Sequence, residues 1–292
     1  MNLALYLGCT IQTEQYAYEI SVREVLPKLG IELVDLEDAN CCGYPIKSID
    51  TLGCIYLSAR NLALAEREGL NVLSLCNGCD LSLCEAKHYL ETRPDVKDLV
   101  NSLLKVEGLK FTGKVDVIHI LNVLHDHVGV ENIKKLVRKN LKGLRFASHY
   151  GCHAIWTSNL KRADDPEDPQ KLEELIKALG ADSYDYPERL ECCGSGLSMF
   201  SGKTTLLIAG SKLRKVQDYG FDGMITVCPF CLKMLDTKQR AIKAIMHDPS
   251  LNLPVLYYTQ LLGLSMGIYP QKLGLDFNLS PINLLLEKIG EA

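Results

Sequence analysis

Ten of the twelve cysteines in this chain recur in one order, twice. The first set is Cys9, the adjacent pair Cys41 and Cys42 followed by Gly43, and the CxxC pair Cys76 and Cys79. The second is Cys152, the pair Cys192 and Cys193 followed by Gly194, and the CxxC pair Cys228 and Cys231. Between these landmarks lie 31 and 33 residues in the first set and 39 and 34 in the second. A CxxC pair lets two thiolates reach one centre while a helix begins behind them, its free N–H groups and positive dipole favouring negative charge. Zinc sites, iron–sulfur sites and redox dithiols all use it. The adjacent pair is sharper, because neighbouring side chains of an extended segment point apart and cannot easily chelate one small ion. They can ligate different irons of a cluster, or one can bridge two irons. Tetrahedral zinc accepts four ligands, so five thiolates leave one spare, whereas a multi-iron cluster can use five. Gly8, Gly43 and Gly78 flank the first set, with Gly151, Gly194 and Gly196 beside the second. Glycine lets backbone approach a bulky inorganic core.

Around the thiols, the repeat reads as an internal duplication joined near Leu141–Arg145, giving domains 1–143 and 144–292. Short β-prone runs at Leu3–Leu7, Glu32–Leu36, Val72–Leu75, Val115–Ile120 and Arg145–Tyr150 alternate with helical patterns. The helical patterns include Glu14–Leu29, Leu52–Glu68 and Lys171–Leu179. Alternating β and α with nearly continuous apolar strands predicts an α/β fold, each half a mostly parallel sheet flanked by helices. Leu3–Leu7 precedes Cys9, Val72–Leu75 precedes Cys76, and Met224–Val227 precedes Cys228. The thiols are therefore expected at the carboxyl ends of strands, where open α/β sheets bind ligands.

The 292 residues carry a net charge of −4, with 47% hydrophobic content. A strongly basic nucleic-acid binder and a disordered chain are both excluded. Met1–Gly8 lacks a cationic start and reads as a first strand rather than a secretion signal. The uncharged stretch from Pro249 to Gln271 contains Pro254, Thr259, Gln260 and Ser265, and reads as a buried strand at Val255–Tyr258 and a buried helix turn rather than a membrane span. A cytoplasmic location follows, in which cysteines serve as metal ligands or reactive thiols.

The doubled pattern C–x(31–39)–CC–x(33–36)–CxxC resembles the cysteine-rich CCG domains. Two such domains with little else are similar to the B subunits of heterodisulfide reductase, over essentially the whole chain. The 33-residue gap between Cys42 and Cys76 is slightly short for that family. The resemblance implies a noncubane [4Fe–4S] cluster on Cys9, Cys41, Cys42, Cys76 and Cys79, and a second on Cys152, Cys192, Cys193, Cys228 and Cys231. It also implies the mixed disulfide of coenzyme M and coenzyme B, an intermediate of methanogenesis, as substrate between the two. Two one-electron centres facing one disulfide would supply the two electrons its cleavage needs. No ferredoxin-type CxxCxxCxxxCP run and no GxGxxG fingerprint occur, so electrons must come from elsewhere. The resemblance names the ferredoxin-like C subunit and the flavin-bearing A subunit of heterodisulfide reductase, with a hydrogenase or formate dehydrogenase behind them. Related CCG subunits of lactate, glycolate, glycerol-phosphate or succinate/fumarate systems, and bacterial disulfide reductases, are the alternative, and a zinc-stapled scaffold the non-enzymatic one.

The halves are not identical. His153 follows Cys152, where Thr10 follows Cys9, and a histidine there could protonate a leaving thiolate. Cys54 and Cys84 lie outside the repeat and read as buried small hydrophobes. Ser201–Thr205 (SGKTT) lacks the first glycine of a phosphate loop, although Lys203 could still hold an anionic group. His119 and Tyr257 or Tyr258 fall late in the two halves and read as core residues.

Overall fold

The computed structural model describes residues 1–156, 160 and 162–290. The first half forms β1 (Asn2–Tyr6), β2 (Glu32–Asp35), β3 (Val72–Ser74) and β4 (Val117–His119), in the order β2-β1-β3-β4. The second forms β5 (Phe146–His149), β6 (Gly223–Thr226) and β7 (Val255–Tyr257), in that order. Every named strand pair is parallel, as the uninterrupted apolar runs require: Leu3 to Tyr6 are all buried, and so is all of β5 to β7.

Among the described residues the second sheet has no counterpart of edge strand β2. A single parallel bridge between Arg145 and Asp182 stands in its place. The helix expected over Glu14–Leu29 is broken: one helix runs Gly8–Glu14, Gln15 leaves helical geometry, a second runs Tyr16–Val25, and a 3₁₀ turn closes at Leu29. The expected helices Leu52–Glu68 and Lys171–Leu179 appear as Thr51–Glu68 and Lys171–Ala178.

After each Cys–Cys–Gly turn a helix begins at an equivalent point. Asp50 caps Thr51–Glu68 by accepting from the Gly53 N–H at 2.8 Å, and Ser201 caps Gly202–Asp218 through the Thr204 N–H. The halves are locked together by side chains that reach across. The Tyr18 hydroxyl donates to the Val227 carbonyl at 3.0 Å, its ring stacks on Tyr257 at 3.8 Å, and Ser21 bonds Thr259 at 2.7 Å. The thiol-bearing segments that follow β1, β3, β5 and β6 meet along this join.

Candidate metal centre

Three segments bring each set of thiols together. Cys9 lies in the first turn of the helix that follows β1, and Cys152 opens the short helix Cys152–Ile155 after β5. Cys76 and Cys228 are the N-cap residues of the helices Asn77–Thr92 and Pro229–Leu232, so Cys79 and Cys231 sit in first turns beside free N–H groups. The Cys–Cys pairs arrive on loops turned by left-handed Gly43 (φ 86°) and Gly194 (φ 83°). A Cβ on Gly43 would stand 2.7 Å from the Cys54 Cα, so this loop closes only on glycine.

The ten sulfurs form one continuous path. In the first half Cys9 approaches Cys41 at 3.7 Å, and Cys41, Cys42, Cys79 and Cys76 follow as successive neighbours that shift one another's ionisation. In the second, Cys152 approaches Cys192 at 3.8 Å and the path continues through Cys193, Cys231 and Cys228. Cys76 and Cys228 face each other across the join, close enough to shift each other's ionisation. Within each adjacent pair the two thiols are pushed in opposite directions, Cys41 up and Cys42 down, Cys192 down and Cys193 up. Hydrogen bonds from Cys41 and Cys79 hold Cys42 down to about 4, while the bond to Cys192 pushes Cys193 up to about 12. Thiols this close and this buried cannot all ionise against water alone, and metal cations are what would let them.

The backbone makes way for the sulfurs themselves. A Cβ at Gly8 would lie 2.9 Å from the Cys79 Sγ, and one at Gly151 would lie 2.8 Å from the Cys231 Sγ. The two halves thus form matching cradles. Gly78 is different, since its Cβ position faces the Tyr44 ring at 3.6 Å rather than a thiol. Donor type, donor number and these cradles suit iron–sulfur clusters.

His153 stands at the seam. Its Nδ1 is 3.3 Å from the Cys152 Sγ, its Nε2 is 3.0 Å from the Tyr44 hydroxyl of the other half, and burial lowers its pKa. Tyr44, Asn77 and Gly78 from the first half share a cleft with Cys152, His153 and Phe230 from the second. Asn77 also spans the join, donating to the Tyr150 carbonyl at 2.6 Å and contacting His119 Nε2 at 2.9 Å. Tyr44 and Asn77 were not legible in the sequence, because nothing repeats at their positions and only packing between halves gives them a role. His119, Tyr257 and Tyr258 are buried, and Cys54 is buried too, its Sγ 3.7 Å from the Cys42 carbonyl. Cys84 is half-buried, and Lys203 is exposed near the start of its helix.

A family model described as the cysteine-rich domain (CCG) matches residues 3–84 and again residues 146–236, once around each thiol set. The chain belongs to the CCG family. It is 36% identical to the B subunit of a ferredoxin/F420H2-dependent CoB–CoM heterodisulfide reductase from Methanosarcina acetivorans, with 99% of this chain and 97% of the relative covered. A protein of Archaeoglobus profundus, described as like the B subunit of heterodisulfide reductase, is 34% identical over 92% of each chain. An 8-methylmenaquinol:fumarate reductase membrane anchor subunit of Wolinella succinogenes is 32% identical, covering 91% of this chain and 93% of that one. A crystal structure of a hypothetical Helicobacter pylori protein superposes with a TM-score of 0.76 at 20% identity, over 96% of this chain and 52% of that one, which shows the shared fold. This CCG protein is therefore an iron–sulfur subunit of the heterodisulfide reductase B type, a component of an oxidoreductase complex. Among the described residues no helix is long and apolar enough to cross a membrane.

Proposed function

We propose that this chain is the disulfide-cleaving subunit of a CoB–CoM heterodisulfide reductase, with domains 1–143 and 144–292 each holding one noncubane [4Fe–4S] cluster on its five cysteines. The observation that carries this reading is the continuous path of ten thiols, whose two halves meet at Cys76 and Cys228 beside a cleft shared by both halves. Cleaving a disulfide to two thiols consumes two electrons and two protons. The second set of thiols lines that cleft directly, while the first half contributes Tyr44, Asn77 and Gly78 in front of its own set; each cluster, when bound, would supply one-electron redox chemistry.

The remaining work falls to protein side chains. Tyr44 and His153 face the cleft within hydrogen-bond reach of each other, so a proton held at His153 Nε2 can be replaced through the Tyr44 hydroxyl. Burial lowers the His153 pKa, so near neutral pH the ring is largely neutral and has to take up a proton before passing it to a leaving thiolate. His153→Gln is expected to lower turnover and remove one ionisation from the pH–rate profile. An unchanged profile would eliminate the proton-donor role.

Electrons reach such a protein from outside. The reading assigns that task to the iron–sulfur C subunit and the flavin-bearing A subunit of the reductase, fed by a hydrogenase or formate dehydrogenase, in the cytoplasm. Exposed Ile49, Met199 and Phe200 support docking of this kind, because they lie on the equivalent loops that follow the two Cys–Cys–Gly turns. The test is oxidation of reduced methyl viologen by anaerobically purified protein on addition of the mixed disulfide. Oxidation that depends on the disulfide is expected.

A second reading rests on the fumarate reductase relative. There the same fold would relay electrons without cleaving a disulfide. Intact clusters that redox-cycle with viologen yet ignore the mixed disulfide would decide for it.

A further inference from the structure

The duplication allows position-by-position comparison of the two centres, and two differences lie directly behind the thiols. Three residues before Cys9 stands Tyr6, and three before Cys152 stands His149. The Tyr6 hydroxyl donates to the Asn40 carbonyl at 2.7 Å, so its polarity is spent on protein. His149 is fully buried, and neither ring nitrogen has a partner among the described residues. A ring nitrogen and the Cys193 and Cys231 sulfurs lie within 4.8 Å of one another. A histidine buried without any partner is costly unless a group not made of protein completes it.

The second difference lies on the helix after each Cys–Cys–Gly turn. Nineteen residues past Cys42 stands Asn61, and nineteen past Cys193 stands Lys212. Asn61 pins the first loop as a neutral amide, donating to the Asn40 carbonyl at 3.2 Å and accepting from the Asn40 N–H at 2.9 Å. Lys212 pins the second as a buried cation, donating to the carbonyls of Glu188, Arg189 and Glu191 at 2.7, 3.2 and 3.0 Å. Three acceptors use all three N–H bonds of an ammonium; burial lowers the Lys212 pKa to about 8 against the upward pull of the Cys231 and Cys193 thiols beside it, so the ammonium persists at neutral pH. No salt bridge to Lys212 occurs among the described residues. The nearby Glu188 carboxylate pairs with Lys215 at 2.8 Å, Arg189 is matched by Asp168, Glu173 and Asp185, and Glu191 is exposed. Near the first set, Lys47 is partly exposed and paired with Glu85, and the buried Arg162 is neutralised by the buried Asp80 at 3.0 Å.

Adding an electron makes a thiolate-bound cluster more negative. A buried cation and a polar ring nitrogen within 4.8 Å of its sulfurs both stabilise that added charge, raising the reduction potential. We infer that Lys212 and His149 set the centre on Cys152, Cys192, Cys193, Cys228 and Cys231 at the higher potential, so that it is reduced before the centre on Cys9, Cys41, Cys42, Cys76 and Cys79. This rests on the two-cluster reading above and adds an order to it.

The test is a reductive titration of the anaerobic protein with dithionite, followed by electron paramagnetic resonance. Two waves are expected, and Lys212→Met or His149→Phe should move the higher-potential wave downward and leave the other in place. Movement of the lower wave alone, or of both equally, would overturn the assignment. Because a variant at a buried site can lose iron, a second measurement uses the unaltered fold. With ¹⁵N-histidine label, pulsed resonance on the first-reduced signal of the native protein should show coupling to the histidine nitrogens beside that centre, on His149 and His153. Coupling confined to the later signal would contradict the order. Absence of two clusters would end the two-cluster reading itself, whereas two clusters reduced in the opposite order would end only this inference.

Discussion

Gly8 and Gly151 show how closely the backbone packs on the thiols, because each leaves a sulfur where its own side chain would otherwise be. Gly30 provides the comparison. It has φ of +77° but nothing within 4 Å of its Cβ position, so Gly30→Ala is expected to cost only the backbone term of about 1–2 kcal/mol. Gly8→Ala adds a methyl 2.9 Å from the Cys79 sulfur and should lose iron as well as stability. Iron per chain and thermal unfolding of the two variants check this, and equal iron in both would refute the cradle. At this scale the ten cysteines were legible because a spacing repeated twice is visible in a sequence. His149 was not, because a histidine at the end of an apolar strand reads as core until both its nitrogens are found without partners.

The elements that hold the centre in place are those that cross the join. The helix Tyr16–Val25 is the clearest, since the buried Tyr18 hydroxyl is bonded to the Val227 carbonyl immediately before Cys228. Tyr18→Phe leaves that carbonyl unpaired and is expected to lower stability by about 1–3 kcal/mol, read as an earlier midpoint in urea. An unchanged midpoint would mean that water replaces the bond. Most strands were readable from continuous apolar runs, and most helices from their period. The break at Gln15 was not, because the local pattern continues through it. What interrupts the helix is long-range: Gln15 is buried, its Oε1 accepts from the Tyr257 hydroxyl at 3.0 Å and its Nε2 reaches Thr237 at 3.3 Å. The missing edge strand of the second sheet has a local cause. The run from Asp182 to Glu191 carries Pro187 and the acidic residues Asp182, Asp185, Glu188 and Glu191, which weakens pairing.

For the molecule as a whole, duplication is the feature with functional content. If two electrons are delivered by two centres, then damage to either set alone must stop the reaction. Cys41→Ser and Cys192→Ser, one in each half, are each expected to abolish two-electron turnover while leaving the opposite half able to bind iron. Near-full activity in either variant would show that one centre suffices. The pseudo-symmetry is also incomplete where it matters, at Thr10 and His153, Tyr6 and His149, and Asn61 and Lys212. A purely structural staple gives no reason for the two halves to diverge at the residues nearest the thiols. The most direct measurement of the central claim is therefore iron, acid-labile sulfide and zinc per chain on anaerobically purified protein. Two four-iron clusters predict about eight irons with matching sulfide and no zinc. One or two zinc ions without sulfide would show that the thiolates hold structure, and the redox account would fall with that result.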